Sequence, residues 1–186
     1  MTSHRVVVTG LGVISPIGNN IPDFWKSLTE GKSGVGPITS FDSARFDSRI
    51  AAEVKGYDPK LTIPFKEARR MEQFVQFAVT AAKEAWADSG LDITKLNPFD
   101  AGAIIGSGIG SLRIVEEMHT VYMEKGPEKF SPFMIPLLIV NMAPGWVSMM
   151  LGLKGPNFSV VTACASGTHS IGEAYRTIQR GGAKVL

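Results

Sequence analysis

The sequence predicts an α/β fold, a mostly parallel sheet covered by helices on both faces, and three observations carry that expectation. Short aliphatic, β-branched runs recur at residues 5–9, 101–106 and 158–161. Each is followed by a turn rich in glycine or small residues, and then by a stretch of three- and four-residue apolar spacing. With 186 residues, 44% of them hydrophobic and 19% charged, the chain has enough apolar material to bury a core.

The elements follow in order. Residues 5–9 read as a buried strand that stops at Gly10, and the Gly-, Pro- and Asn-rich stretch 10–20 reads as a loop. A helix begins near Asn20, a good N-cap, with Pro22 and Asp23 in its first turn, Phe24, Trp25 and Leu28 as its stripe, and Gly31 as its stop. Residues 32–65 read as loops and short strands, among them 50–54. Between residues 66 and 89 the spacing of Met71, Phe74, Val75, Ala78, Ala82, Ala85 and Trp86 predicts one long helix closed by Gly90. A second strand at 101–106 runs through Gly106-Ser107-Gly108-Ile109-Gly110 into a helix carrying Leu112, Val115, Met118 and Tyr122. A helix over 138–150, a turn at Gly155-Pro156, a strand at 158–161, a helix over 164–180 and the beginning of a fourth strand at 183–186 complete the reading.

Composition excludes several classes. A net charge of +2 lacks the basic signature of a nucleic-acid binder. One cysteine, Cys164, cannot close an intrachain disulfide, and the N-terminus lacks the pattern of a secretory signal, so a reducing, cytoplasmic setting is expected. Residues 131–153 carry no charge and no histidine over a length that could span a bilayer. Pro132, Pro136, Pro144, Gly145 and Asn141 interrupt that run, which favours buried core or a subunit interface over a membrane segment.

Two glycine motifs resemble phosphate-binding loops only in part. Gly10-Leu11-Gly12 follows a predicted strand, but Ser15 stands where a third glycine is needed and Pro16 breaks the required helix. Gly106-Ser107-Gly108-Ile109-Gly110 has the wrong spacing and no Gly-Lys-Ser/Thr. It reads either as a turn where two backbones approach closely or as the wall of a ligand tunnel with Ile109 pointing inward.

Val160 to Ser170 is the most informative segment. A β-branched strand ends and a helix starts within two or three small residues, a corner that exposes Cys164 at the end of a buried strand. The helix N-terminus favours a thiolate, and the Cys164 amide could receive a developing oxyanion. The same pattern also fits a small buried cysteine, and both readings stay open on local pattern alone. His169, five residues on, lies about 140° around the helix from Cys164, so it is not an evident base. His4 and His119 offer no better partner.

Residues 162–172, Thr-Ala-Cys-Ala-Ser-Gly-Thr-His-Ser-Ile-Gly, resemble the active-site signature of the β-ketoacyl-acyl carrier protein synthases. Residues 6–18 resemble that family's opening, and the glycine motif at 106–110, Ser131-Pro132-Phe133, Ile139 to Met142 and Gly152 to Pro156 follow in the expected order. The type II elongating members are most similar. The resemblance implies the N-terminal half, residues 1–186, of a thiolase fold with α-β-α-β-α layers, assembled as a homodimer, with the C-terminal half outside these residues. It implies that Cys164 takes the acyl chain from the phosphopantetheine of acyl carrier protein, with no bound cofactor or metal of its own. Malonyl-carrier would then lose carbon dioxide and condense with the acyl-cysteine, assisted by two histidines and a lysine of the C-terminal half, so residues 1–186 by themselves are expected to lack condensation activity. By the same resemblance Ile109 and Phe133 lie near the acyl tunnel and dimer interface, and Lys66, Arg69 and Arg70 near the tunnel mouth where an acidic carrier docks. Glu128 departs from the family by placing an acid where a basic residue is common. Related readings are a type I or initiating synthase, a polyketide ketosynthase, or a non-catalytic fragment limited to dimerisation or carrier binding.

Overall fold

The computed structural model describes residues 4–186. Its centre is a parallel pair, β3 (Ala103–Gly106) with β4 (Asn157–Val160), in the register Ala103 to Asn157 through Gly106 to Val160. Val185 extends this sheet beyond β3 through a parallel bridge to Ala101. The strand begun at 183–186 is therefore present as that single bridge. An antiparallel hairpin, β1 (Val35–Pro37) with β2 (Ile50–Ala52), sits apart from the parallel pair.

Helices lie on both faces of the parallel pair, as the alternation predicts. On one face α6 (Met142–Leu151) packs on β3 and β4, with α3 (Gln73–Ser89) stacked behind it. Ile63, Val75, Val79 and Pro144 are the largest fully buried side chains here, with Ala101, Ala103, Val147 and Leu153 around them. Against the other face lies α7 (Ser166–Gln179). The remaining helices are α1 (Ile21–Thr29), α2 (Phe65–Ala68), α4 (Leu112–Lys125) and α5 (Met134–Leu138).

Several expectations hold in detail. Asn20 caps α1, its Oδ1 accepting the Asp23 amide at 2.8 Å. Gly90 ends α3 in the left-handed conformation, φ +66°.

Others are corrected. Residues 5–9 are not a strand, and Val7 and Val8 are 57% and 80% exposed. A strand needs a hydrogen-bonded neighbour, and among the described residues none pairs with 5–9; the chain meets α3 just after it. Leu11 and Val13 donate their amides to the carboxylates of Asp88 and Glu84, both at 2.9 Å. Gly10 and Gly12 explain the close approach: a Cβ on either would fall about 2 Å from the carbonyl oxygen of Ala85 or Ala81. The glycines first compared with a phosphate motif thus serve packing.

The helix expected over 66–89 is two helices. Glu72 is extended between them (ψ 162°), and Gln76 Nε2 bridges the break by donating to the carbonyls of Ala68 and Met71. The helix expected over 138–150 begins instead at Met142 as α6, with residues 139–141 outside it and the short α5 ahead of them; Pro144 has no N–H for the bond to Val140 that a start at 138 would require. Among the described residues no helix is long and apolar enough to cross a membrane.

Candidate active site

Cys164 stands in a single 3₁₀ turn, Ala163–Ala165, between the end of β4 and the start of α7, and it is exposed. The corner expected from the sequence is therefore formed, and the buried-filler reading of the cysteine is set aside. Ala163 has φ +50° and is the only non-glycine residue with positive φ among the described residues. An alanine held there is strained, and surrounding bonds must keep it in place.

Those bonds come from small hydroxyl residues. Ser166, 3% exposed, accepts the Thr162 amide at 2.9 Å and donates to the Ala163 carbonyl at 2.7 Å, so one side chain clamps both sides of the corner. Ser170 donates to the Ser166 carbonyl at 2.9 Å. His169 Nδ1 lies 2.8 Å from Thr162 Oγ1, which makes it a brace of the corner rather than a partner of the thiol. Sequence reasoning overlooked Ser166 and Thr162, although a serine at the first position of a helix is a recognisable signal for backbone bonding.

The electrostatics at Cys164 come from α7. The first amides of a helix have no intrahelical acceptor, and no acidic residue occupies the first turn of α7. The partial positive charge of a 14-residue helix is thus directed, unopposed by an acid in that turn, at the corner carrying the sulfur. Such a site can bind a developing oxyanion.

The loop 106–110 runs beside this corner. A Cβ on Gly106 would fall 2.3 Å from the Ser166 carbonyl oxygen, and one on Gly108 would touch Ala163 at 3.6 Å. Gly110 has φ +86°, and a Cβ there would lie 2.0 Å from the Leu138 carbonyl oxygen. The close-approach reading of this motif is therefore correct. Ile109 sits between these contacts with its side chain 61% exposed.

Lys66, Arg69 and Arg70 are brought together with Phe133. They line one open cleft of about 480 Å³ with Phe65 and Leu137, and no acidic side chain borders it. All three cations are exposed, and none forms a salt bridge among the described residues. Phe65 lies between two cations, Lys60 Nζ at 5.7 Å and the Arg69 guanidinium at 5.8 Å from its ring centre. Phe133 is 53% exposed.

Comparison with known proteins was made against this geometry. Residues 3–186 match the family described as Beta-ketoacyl synthase, N-terminal domain. The chain is 50% identical over all 186 residues to a 3-oxoacyl-[acyl-carrier-protein] synthase 2 of Coxiella burnetii, covering 45% of that relative's length. It is 49% identical to the enzyme of the same name from Synechocystis, again over 100% of this chain and 45% of the relative. The chain therefore spans about half the length of the curated relatives it matches. Among solved structures, the ishigamide ketosynthase/chain length factor superposes with a TM-score of 0.84 at 30% identity, over 97% of this chain and 45% of that one.

Proposed function

Because this chain belongs to the β-ketoacyl synthase family, through that family's N-terminal domain, we propose that it works in a 3-oxoacyl-[acyl-carrier-protein] synthase that elongates fatty acids. The observation that carries the reading is the exposed Cys164 on a strained corner at the start of α7. The Cys164 thiolate attacks the carbonyl carbon of an acyl thioester on the phosphopantetheine of acyl carrier protein. A new S–C bond forms, the carrier's S–C bond breaks, and the carrier's sulfur leaves as the thiolate and takes a proton. The Cys164 amide, in the turn just before α7, would receive the oxyanion formed on the way.

Malonyl-carrier then loses carbon dioxide, and the electron pair left on its α-carbon attacks the acyl-Cys164 carbonyl. A C–C bond forms and the cysteine leaves as thiolate, giving a β-ketoacyl-carrier two carbons longer. In this reading residues 1–186 are the N-terminal half of a five-layered α-β-α-β-α thiolase fold. Two histidines and a lysine of the C-terminal half assist decarboxylation, and the enzyme is a cytoplasmic homodimer. Ile109 and Phe133 border the acyl chain. The acid-free cleft of Lys66, Arg69 and Arg70 suits the acidic carrier, with cations free to meet its carboxylates.

The polyketide alternative has weaker support, since identity is 30% to the ketosynthase/chain length factor and 50% to a fatty-acid-type synthase. Condensation is tested on a protein that carries both halves of the fold, by supplying acyl-carrier and malonyl-carrier and following the β-ketoacyl product. The reading requires a product two carbons longer that disappears in Cys164→Ala, and elongation by Cys164→Ala would refute it.

A further inference from the structure

Glu72 is a buried acid that serves neither the thiol nor its own helix. Its side chain is 8% exposed, and it occupies the N-cap position of α3 without making a capping bond there. Its carboxylate is directed instead to residues 39 and 41 positions away. Oε2 accepts from Ser111 Oγ at 2.9 Å, and Oε1 pairs with Arg113 Nη2 at 2.6 Å. Arg113 is drawn in from the surface, 63% exposed, and its other amino group holds Glu117 at 2.9 Å. A buried carboxylate is stable only with such partners, so each side of this contact fixes the other.

Ser111 is the end post of the 106–110 loop. It caps α4, gives its amide to the Leu138 carbonyl at 3.3 Å, and follows Gly110, whose left-handed backbone lies against that same carbonyl. Gly110 also donates to Ser107 Oγ at 3.3 Å. The opposite end of the loop is held where Gly106 meets Ser166. Three of the five loop residues are glycine, so the loop has little stiffness of its own. Its anchors decide where Ile109, its one large side chain, stands relative to the Cys164 corner.

We propose that Glu72 is a positioning residue for acyl-chain selection: through Ser111 and Arg113 it fixes the 106–110 loop and so sets the place of Ile109 beside Cys164. The proposal rests on the reading that Cys164 is acylated and that Ile109 borders the acyl chain. It is tested on the purified protein with Glu72→Gln and Arg113→Gln, each given acyl-carrier thioesters of graded length. The rate of acyl-Cys164 formation is followed by intact mass.

The ratio of rates between long and short acyl groups should change by roughly threefold or more in both variants. Alkylation of Cys164 by iodoacetamide, which does not probe the length of a tunnel, should keep the parent rate. Glu72→Asp, which keeps the charge and can be followed by the flexible Arg113, should restore most of the parent profile. Arg113 is on the surface, so Arg113→Gln carries the test if Glu72→Gln fails to fold. An unchanged length profile, or an equal fall at every length, overturns the proposal by leaving Glu72 only a role in the fold. Absence of acyl-Cys164 in the unsubstituted protein is a different result, and it removes the functional reading beneath the proposal.

Discussion

Gly106→Ala should separate the position of the cysteine from its chemistry. Gly106 ends β3, and an added Cβ would lie 2.3 Å from the oxygen and 2.4 Å from the carbonyl carbon of Ser166. Both are backbone atoms in the first residue of α7, so no side chain can turn aside. Ordinary contact begins at 3.4 Å, and relief therefore needs the start of α7 to move by about 1 Å, a misplacement that can cost about a hundredfold in rate at a reacting centre. Overpacking of this kind also destabilises by about 1–3 kcal/mol, or roughly 2–4 °C in melting temperature per kcal/mol for a domain of this size. Single-turnover acylation of Cys164 by an acyl-carrier thioester, followed by intact mass alongside a thermal melt, reads both effects. Gly36→Ala is the control, because its Cβ would meet only the flexible end of Lys55 at 3.3 Å. A folded Gly106→Ala protein that acylates within about threefold of the parent, a difference under 1 kcal/mol, would refute the reasoning.

Three further outcomes are expected. Replacing Lys66, Arg69 and Arg70 by glutamate should weaken binding of an acidic carrier, and added salt should narrow the gap between parent and variant; equal binding removes the docking assignment. Glu84→Ala removes the acceptor of the Ile21 amide at 2.7 Å and the Val13 amide at 2.9 Å, and should lower stability in urea by about 1–3 kcal/mol for the amides left unpaired. Glu53 is held at a pKa of about 2 by hydrogen bonds from Thr39 and Ser40. Because that value is depressed, the contact is fully present above the ordinary value of 4.5 and is lost as pH falls through about 2. Protection of the Thr39 and Ser40 amides, taken against their intrinsic exchange rates at each pH, should therefore hold at pH 4 and fall toward pH 2, and Glu53→Gln should abolish that change in protection.

The central parallel pair and the cysteine corner were legible because their signals are local. A β-branched run, a cluster of small residues and a helix start at the required spacing lie within about a dozen positions. Residues 5–9 have the same strand signal, but pairing depends on a neighbour's backbone, and among the described residues no strand pairs with them. The divisions at Glu72 and at Ile139 to Asn141 were hidden for related reasons. Apolar spacing continues across the first, while the contacts that hold Glu72 come from residues 39 and 41 positions away. At the second, Pro144 interrupts an apolar run whose spacing alone reads as one helix. Periodicity reports which face is apolar and not which residues are buried: in α4 Leu112, Val115 and Tyr122 are exposed while Ile114 is buried. The convergence of Lys66, Arg69 and Arg70 with Phe133 joins positions more than sixty residues apart, which no local pattern encodes.

The central claim is that Cys164 carries the acyl group. Mixing the protein with an acyl-carrier thioester, measuring intact mass and mapping the modified peptide tests it most directly. The account predicts a gain of one acyl group on the peptide containing Cys164, absent from Cys164→Ala. An acyl group that maps elsewhere or persists in Cys164→Ala, or no adduct at all, would contradict it.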